Sequence, residues 1–354
     1  MHIVFAAGGT AGHVEPALNT ADALVRADPD ITIGFLGGPR GLESTLVPAR
    51  GYELVTIDAA PLPRRPSLDA ATFPLHVVRG VREATSYLRR VGADAVVGFG
   101  GYVAVPGYLA ARRTRTPLII HEANSRAGFA NVLGSKFTSH VASVHDGVLP
   151  GARHLGLPIR PAIASLDKAA LRQQARGRWG LAPDRPVALV FGGSQGARHI
   201  NEVLAASLDV LTASGVQVLH AVGSRNELPD PRPGYVPVAY LEQMDEAYAA
   251  ADLVVCRAGA MTCAEVTSVG IPAIFVPLPI GNGEQNRNAA PIVRAGGGLQ
   301  RSDAELTPEW LTDAIVELVQ DGTRLADMAA AAAALGERDA DEQMAAWIIR
   351  VARG

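Results

Sequence analysis

The sequence lacks the features that mark disulfide-stapled, membrane-spanning and secreted proteins. Its two cysteines, Cys256 and Cys263, form no Cys-x-x-Cys motif or Cys/His cluster, so neither a disulfide framework nor a structural zinc site is supported. No run of about 18 apolar residues is present to span a bilayer. The N-terminus enters a strand at once, without the basic start and cleavage site of a signal peptide, so we expect a cytosolic protein.

An excess of positive charge is also missing. The formal net charge of -3 and the absence of a nucleic-acid-binding motif argue against nucleic acid as a partner. The chain instead has 354 residues, of which 48% are hydrophobic, 19% are charged and 37 are glycine. This composition indicates a soluble α/β protein, and the length indicates two domains that each bury a core.

Residues 252–288 contain two consecutive strand-turn-helix units. The apolar run Leu253–Cys256 predicts a buried strand, followed by a helix over residues 262–269. A second apolar run at 272–278 predicts another strand, which ends in a glycine-rich turn at 279–283 before a helix begins near Gln285. In open α/β sheets, ligands bind where such strands end, and helix N-termini there offer N–H groups to anions.

The polar side chains of this stretch suit a ligand that carries both phosphates and hydroxyls. Glu265 lies in the first of these helices, and Glu284, Gln285 and Asn288 lie at the start of the second. We therefore predict a nucleotide sugar as the ligand. The alternative is an ordinary doubly wound domain, in which such carboxylates only complement the helix dipole.

Two glycine loops occur at equivalent places in the two halves of the chain. GGTAGH (residues 8–13) follows the strand His2–Ala7, and GGSQGA (residues 192–197) follows the strand Val187–Phe191. Their glycines allow close backbone approach to an anion, although neither loop is a Walker A or GxGxxG motif. His13 ends the first loop and is a candidate general base, although a lone histidine is more often a structural hydrogen-bonding group.

Further strands at 31–36, 95–98, 118–121 and 140–144 alternate with helical segments, as in a parallel sheet. Two of them end in polar or glycine-rich loops, at residues 99–102 and 121–124. Together with the first glycine loop, they place three candidate ligand loops at one edge of one sheet. Any one of the three would also fit a simple tight turn.

A predicted helix over residues 75–91 has an apolar and a basic side. The apolar residues assigned to one face are Val77, Val78, Val81, Ala84, Leu88 and Val91. The arginines assigned to the opposite face are Arg79, Arg82, Arg89 and Arg90. Taken alone, this pattern favours a core-facing helix with a solvated basic side over a membrane-surface patch.

Residues 156–161 contain a glycine and two prolines and form the predicted boundary between two similar doubly wound domains. An active site is expected in the cleft between such domains. The tail predicts helices around 326–335 and 343–352.

As an ordered set, the motifs resemble the MurG family of bacterial N-acetylglucosamine transferases over nearly the whole chain. They are GGTAGH, FGGYVAVPG, HEAN, GLPIR, GGSQGAR, YLEQM, CRAGAMTCAE and EQNRN. The resemblance implies a GT-B fold and an inverting, metal-independent hexosyltransferase without cofactors. Its substrates would be UDP-N-acetylglucosamine and the 4-hydroxyl of the muramyl sugar of lipid I, giving lipid II for peptidoglycan.

The resemblance also implies which part of the chain binds each substrate. Residues 1–157 would form the acceptor and membrane-docking domain, residues 158–340 the UDP-sugar donor domain, and residues 341–354 a helix that packs back on the first domain. His13 would be catalytic, as base or as diphosphate ligand. The acceptor diphosphate loops would contain Gly9, Gly100, Gly101 and Tyr102. The substrate-binding set would be Thr10, Ala11, Gly12, Asn124, Arg160, Ser194, Leu241, Ala260, Met261, Thr262, Cys263, Ala264, Glu265, Glu284 and Gln285.

The chain departs from the family pattern at four positions. Ala11 replaces a glycine, Glu15 a commonly apolar residue, Ala123 a glutamine, and Glu284 the first member of a glutamine pair. Ala123 removes one contact to the sugar, whereas Glu284 can still accept hydrogen bonds from sugar hydroxyls. We expect these changes to affect details of sugar contact and not the activity.

The lipid acceptor changes the interpretation of the basic helix. Apolar residues near Leu62 and Phe73, with Arg64, Arg65, Arg79 and Arg82, become the predicted docking surface for the cytoplasmic face of the membrane. Other cell-wall and division proteins are further expected partners. The alternatives are an enzyme like UDP-N-acetylglucosamine 2-epimerase and a non-catalytic nucleotide-sugar-binding protein. The peptide variant of the acceptor, the kinetic order and the oligomeric state stay open.

Overall fold

The structure is a computed structural model that describes residues 1–39, 41–60, 68–193, 196–279 and 283–354, with the side chains of residues 68–71 excepted. Several predicted features lie outside these ranges, namely Ser194, the turn at 280–282, and Leu62, Arg64 and Arg65 of the docking surface.

Thirteen strands and fourteen α-helices alternate along the described ranges. The strands are β1 (His2–Ala7), β2 (Thr32–Gly37), β3 (Glu53–Thr56), β4 (Ala95–Gly100), β5 (Leu118–Glu122), β6 (Val141–Ser143), β7 (Arg153–His154), β8 (Val187–Phe191), β9 (Gln217–Ala221), β10 (Tyr235–Val238), β11 (Leu253–Cys256), β12 (Ala273–Phe275) and β13 (Gly298–Gln300).

The helices are α1 (Ala11–Ala27), α2 (Glu43–Ala49), α3 (Leu68–Val91), α4 (Ala104–Thr114), α5 (Phe129–Gly134), α6 (Pro161–Ala164), α7 (Lys168–Arg178), α8 (Arg198–Ala213), α9 (Met244–Ala250), α10 (Ala260–Val269), α11 (Glu284–Arg294), α12 (Pro308–Gln320), α13 (Gly322–Ala333) and α14 (Ala340–Arg353).

The chain divides into two compact units. The first comprises Met1–Ile159 and Asp339–Gly354, and the second comprises Arg160–Arg338. The first unit contains a parallel sheet of order β3-β2-β1-β4-β5-β6-β7, and the second a parallel sheet of order β10-β9-β8-β11-β12-β13. Both are doubly wound, as the alternating strands and helices predicted, so the predicted fold class is confirmed.

Strands β1 and β4 at the centre of the first sheet are apolar along almost their whole length because helices cover both faces of the sheet. Ile3 and Phe5 pack into one core cluster, whereas Val4 and Ala6 pack into a second cluster on the opposite face. The first cluster also contains Trp347 of α14, together with residues of α1. The terminal helix therefore completes the core of the first unit, although it follows the second unit in sequence.

The predicted elements agree with the structure best where apolar runs are sharply bounded. The limits of β1, β8 and β11 are those predicted. Strand β12 is shorter than the predicted run at 272–278, because residues beyond Phe275 leave the sheet. Helix α3 begins before the predicted residue 75. Val78 was wrongly assigned to its buried face, since this side chain is 47% exposed.

Candidate functional site

In each unit, the order of the strands reverses at one place, and ligands of doubly wound sheets bind at that place. The reversal lies between β1 and β4 in the first unit and between β8 and β11 in the second. The two glycine loops follow β1 and β8, and residues 257–259 follow β11. The sequence motifs therefore lie where the topology predicts a ligand site in each unit.

His13 lies at the N-terminal end of α1, three residues after Thr10, which is the N-cap of that helix. The Nδ1 atom of His13 is 3.1 Å from Thr10 Oγ1, within hydrogen-bond distance. The ring also packs against β4, because a methyl group at Gly100 would lie 3.4 Å from His13 Cδ2 and 3.5 Å from Nε2. The structure thus brings His13 next to two of the predicted loops.

The loop after β4 packs tightly on the first glycine loop. Gly101 has a φ of +86°, and a Cβ atom there would lie 2.1 Å from the carbonyl oxygen of Gly8. Only glycine fits this position without strain. The adjacent Tyr102 ring covers Gly9, since a Cβ at Gly9 would lie 3.0 Å from the ring. All four predicted acceptor-loop residues are therefore close together.

Asn124 belongs to a buried polar network around Glu122. The Glu122 carboxylate accepts from the backbone N–H of Asn124 at 2.9 Å and from Asn131 Nδ2 at 2.8 Å. Asn131 Oδ1 in turn accepts from the Tyr108 hydroxyl at 2.7 Å. A Cβ at Gly100 would lie 3.3 Å from Asn131 Nδ2, so the network reaches the end of β4, against which His13 packs.

His121 precedes this network and has a structural role. It is fully buried, and its Nε2 lies 3.2 Å and 3.0 Å from the carbonyl oxygens of Leu155 and Gly156. Burial lowers the pKa of His121 to about 4, so the ring is neutral at pH 7. A neutral ring that donates from Nε2 ties β5 to the segment that ends the first unit.

In the second unit, α10 presents its N-terminus at the predicted anion site. Gly259 is its N-cap, and Ala260, Met261, Thr262 and Ala264 are partly exposed. The first N–H groups of a helix have no intrahelical acceptor and can bind an anion. Cys263 is buried, and burial raises the pKa of its thiol to about 12. Its side chain is therefore part of the packing, although it belongs to the predicted set.

Glu265 is buried at 5% exposure, and both of its carboxylate oxygens accept hydrogen bonds. Oε1 accepts from the Arg160 guanidinium at 3.3 Å, and Oε2 accepts from the Tyr248 hydroxyl at 3.0 Å. Burial and the neighbouring Glu265 raise the pKa of Tyr248, so its hydroxyl stays a donor. Two predicted donor residues, Arg160 and Glu265, are thus in direct contact.

Gln285 joins the loops after β11 and β12. Its Oε1 accepts from the backbone amides of Ala258 at 3.1 Å and Leu278 at 2.9 Å. Asn288 supports the same loop by donating to the Ala258 carbonyl at 3.3 Å. Glu284 is the first residue of the same helix, α11. Since the carbonyl oxygen of Gln285 is committed to the backbone, its amide nitrogen is the group suited to a sugar hydroxyl.

The structure accounts for two of the unusual residues. Ala11 is the first residue of α1 and therefore has a helical backbone that needs no glycine. Glu15 has an ion pair with Arg50 at 3.5 Å.

The remaining predicted site residues lie in different places. Leu241 is buried in the loop between β10 and α9. Gly12 lies in the first turn of α1, and Ser194 lies outside the described residues.

Glu43 and Arg257 are buried charged residues that the sequence reasoning did not select. Glu43 accepts hydrogen bonds from two loops of the first unit, at Gly9 and Gly38. Arg257 donates to the Val276 carbonyl at 3.0 Å and forms an ion pair with Asp303. The sequence around Glu43 gives no sign of its role, because a glutamate at the start of a helix commonly only complements the helix dipole. Arg257 could have been selected from the sequence, since it lies in the predicted turn beside the ligand site.

Within the described ranges, no three His, Cys, Asp or Glu side chains gather as a metal site. Nor does any helix in those ranges combine the length and apolar character that a bilayer span requires.

Comparisons with known proteins match both units. Residues 3–143 match the glycosyltransferase family 28 N-terminal domain, and residues 187–344 match the family 28 C-terminal domain. A relative from Streptomyces avermitilis is 53% identical, with 98% of each chain covered. One from Mycobacterium sp. (strain KMS) is 54% identical, with 99% of this chain and 96% of the relative covered. Both are named UDP-N-acetylglucosamine--N-acetylmuramyl-(pentapeptide) pyrophosphoryl-undecaprenol N-acetylglucosamine transferase.

Solved structures also match this chain over almost its whole length. MurG of Acinetobacter baumannii has a TM-score of 0.80 and 30% identity, with 99% of both chains covered. UDP-GlcNAc 2-epimerase from Neisseria meningitidis, bound to UDP-GlcNAc, has a TM-score of 0.66 at 13% identity, covering 99% of this chain and 100% of the epimerase chain. The second likeness shows the fold alone.

Proposed function

The chain belongs to glycosyltransferase family 28 and within it to the MurG family, and from this premise we propose the reaction it catalyses. It is a GT-B hexosyltransferase that moves N-acetylglucosamine from UDP-N-acetylglucosamine to the 4-hydroxyl of the muramyl sugar of lipid I. The product is lipid II, for peptidoglycan. The observation that carries this proposal is the 53% identity to a relative of that name over 98% of both chains.

We assign the donor to residues 158–340. The backbone amides at the N-terminus of α10 donate to the pyrophosphate, with Thr262 beside them. Glu265 accepts from the ribose hydroxyls, and Gln285 contacts the sugar. Because Arg160 and Tyr248 hold the Glu265 carboxylate, its oxygens are already oriented before a ribose arrives.

We assign the acceptor to residues 1–157, with α14 completing that unit. The loops with Gly9, Gly100, Gly101 and Tyr102 meet at one edge of its sheet and are the proposed site of the diphosphate. His13 lies beside them. Because Nδ1 of His13 faces Thr10, we assign proton transfer to Nε2.

The reaction inverts the anomeric centre. The acceptor 4-oxygen forms a bond to the anomeric carbon, and the bond from that carbon to the pyrophosphate oxygen breaks, with its electron pair leaving on UDP. The proton of the attacking hydroxyl passes to His13. The alternative role of His13 is to bind the acceptor diphosphate as a cation.

We propose that the enzyme binds the cytoplasmic face of the membrane peripherally through α3. Leu75 and Val78 are 49% and 47% exposed, and Arg79 and Arg82 are exposed on the same side of the helix. Apolar side chains flanked by arginines suit an anionic lipid surface. Phe73 is only partly exposed. Other cell-wall and division proteins are further proposed partners.

The test is incubation with the nucleotide sugar alone and then with lipid I, following UDP release and the sugar products. We expect UDP release to depend on lipid I and to persist in excess EDTA. A requirement for added divalent metal would contradict the metal-independent mechanism. Release or isomerisation of the sugar without lipid I would favour an epimerase-like enzyme, and binding without turnover would favour a non-catalytic protein.

A further inference from the structure

Glu43 is a fully buried carboxylate at the catalytic edge of the first sheet. Its Oε2 accepts from the Gly9 amide at 2.8 Å, and its Oε1 accepts from the Gly38 amide at 2.9 Å. The Tyr102 hydroxyl donates to Oε1 at 3.3 Å. One side chain therefore joins the loops that follow β1, β2 and β4.

The surrounding backbone leaves space for this carboxylate. A Cβ atom at Gly8 would lie 2.7 Å from Glu43 Oε1, closer than real contacts allow. A side chain at position 8 would therefore displace the Glu43 carboxylate or the Val103 methyl group. This close fit fixes the carboxylate under the first glycine loop.

The hydrogen bond to Gly9 acts directly on the reacting end of the unit. Gly9 precedes Thr10, the N-cap of α1, and His13 lies in the first turn of that helix. The orientation of the Gly9 peptide therefore sets the direction in which α1 begins and the place of His13. Through Tyr102, the same carboxylate holds the loop after β4.

We propose that Glu43 is a positioning residue, which holds the Gly9 loop, Tyr102 and His13 in the arrangement that the acceptor diphosphate and 4-hydroxyl require. This inference rests on the proposed function. The simpler explanation is that Glu43 only complements the dipole of α2, of which it is the first residue. However, its oxygens accept from Gly9, Gly38 and Tyr102, which all lie outside that helix.

The first test is Glu43→Gln, which has nearly the same shape. Only one of its two terminal atoms accepts, so its NH₂ group would face one of the two amides. We expect kcat/KM for lipid I to fall roughly 10- to 100-fold, the range for losing a hydrogen bond to a charged group. UDP affinity, measured by calorimetry, should stay unchanged because it reports on the other unit. An unchanged kcat/KM for lipid I, or an equal loss in UDP affinity, would overturn the proposal.

The matched control is Glu53→Gln. Glu53 also accepts from a tyrosine hydroxyl, that of Tyr87 at 2.8 Å, but it begins β3 and so lies at the opposite edge of the sheet. We expect parental kinetics for this variant. A loss equal to that of Glu43→Gln would show a general effect of removing a carboxylate from this unit and would contradict the positioning role.

The second test does not depend on turnover. In the full-length parent protein, the Gly9 and Gly38 amide protons should resonate downfield by NMR, as expected for donors to a carboxylate, and move upfield in Glu43→Gln. Should that variant not fold, Glu43→Asp keeps the charge but shortens the reach, and the same changes are expected. Unshifted amides would overturn the proposal. Downfield Gly9 and Gly38 amide protons in a parent protein that lacks transferase activity would instead contradict the proposed function.

Discussion

In the first unit, a buried carboxylate ties together the loops at the carboxyl edge of the sheet, whereas in the second a buried guanidinium does so. Glu43 accepts from the amides of Gly9 and Gly38. Arg257 donates to the carbonyls of Val276 and Pro277 at 3.0 and 3.3 Å. The two edges have the same topology and similar glycine loops, but their supporting groups have opposite charges and opposite hydrogen-bonding roles.

This difference indicates what each edge can bind. In the first unit the Gly9 amide donates to Glu43, so the other amides of the loops and those at the N-terminus of α1 are the groups left for the acceptor diphosphate. A guanidinium binds carbonyls and leaves the first amides of α10 directed at a ligand. On this basis we propose that the second unit stabilises the departing pyrophosphate, whereas the first orients the acceptor diphosphate and takes the proton of the 4-hydroxyl.

The largest effect that would test this division is expected from His13→Ala. If His13 is the base, kcat should fall by roughly 100-fold or more with little change in the KM for lipid I. The measurement is steady-state kinetics with lipid I as the varied substrate. His154→Ala, an exposed histidine of the same unit, is the control and should retain parental kinetics. A rise confined to the acceptor KM would instead assign His13 to the diphosphate.

Glu265→Ala tests the other side of the comparison. The donor KM should rise roughly 10- to 100-fold, because a buried charge-assisted contact to the ribose is lost. Tyr248→Phe removes one donor to the Glu265 carboxylate but leaves the carboxylate in place, so its effect should be smaller. Donor saturation is measured after circular dichroism has shown that both variants fold. An unchanged donor KM in folded Glu265→Ala would refute the assignment.

A smaller effect is expected on membrane binding, which we proposed for α3 of the first unit. Replacing Arg79 and Arg82 with glutamate should weaken flotation with anionic vesicles by roughly tenfold or more at low salt. The difference should shrink as salt is added. The control replaces Arg198 and Arg294, two exposed arginines of the second unit, with glutamate and so changes the net charge by the same amount. Equal flotation of the Arg79/Arg82 variant and its parent would place the docking surface elsewhere.

The smallest effect is expected from Ala11→Gly, which restores the glycine usual in the family. Since Ala11 begins α1 with a helical backbone, kcat and KM should stay within about twofold of the parent. The free energy of unfolding should fall by no more than about 1 kcal/mol, because glycine loses more backbone entropy in a helix. Chemical denaturation measures this change. A large gain in activity would show that the alanine strains the loop.

The sequence alone indicated parallel sheets, because eight of their strands are short apolar runs bounded by turn residues. It did not predict β3, β7, β9, β10 and β13. It also gave the family, since the eight motifs occur in a specific order, and the comparisons confirm this membership. The predicted roles of His13, Gln285 and the other site residues stay predictions. Motifs locate loops reliably because the glycines that shape a loop are neighbours in sequence.

Only the tertiary structure showed which groups those loops rest on. Glu43 is 34 residues from Gly9, and Arg160 is 105 residues from Glu265. Nothing in the local pattern of Glu43 distinguishes it from a surface glutamate at a helix start. Likewise, α14 completes the core of the first unit, although the whole second unit lies between them in sequence. Hydrophobic periodicity and turn chemistry act over a few residues, whereas the pairing of a buried charge depends on which strand ends the sheet brings together.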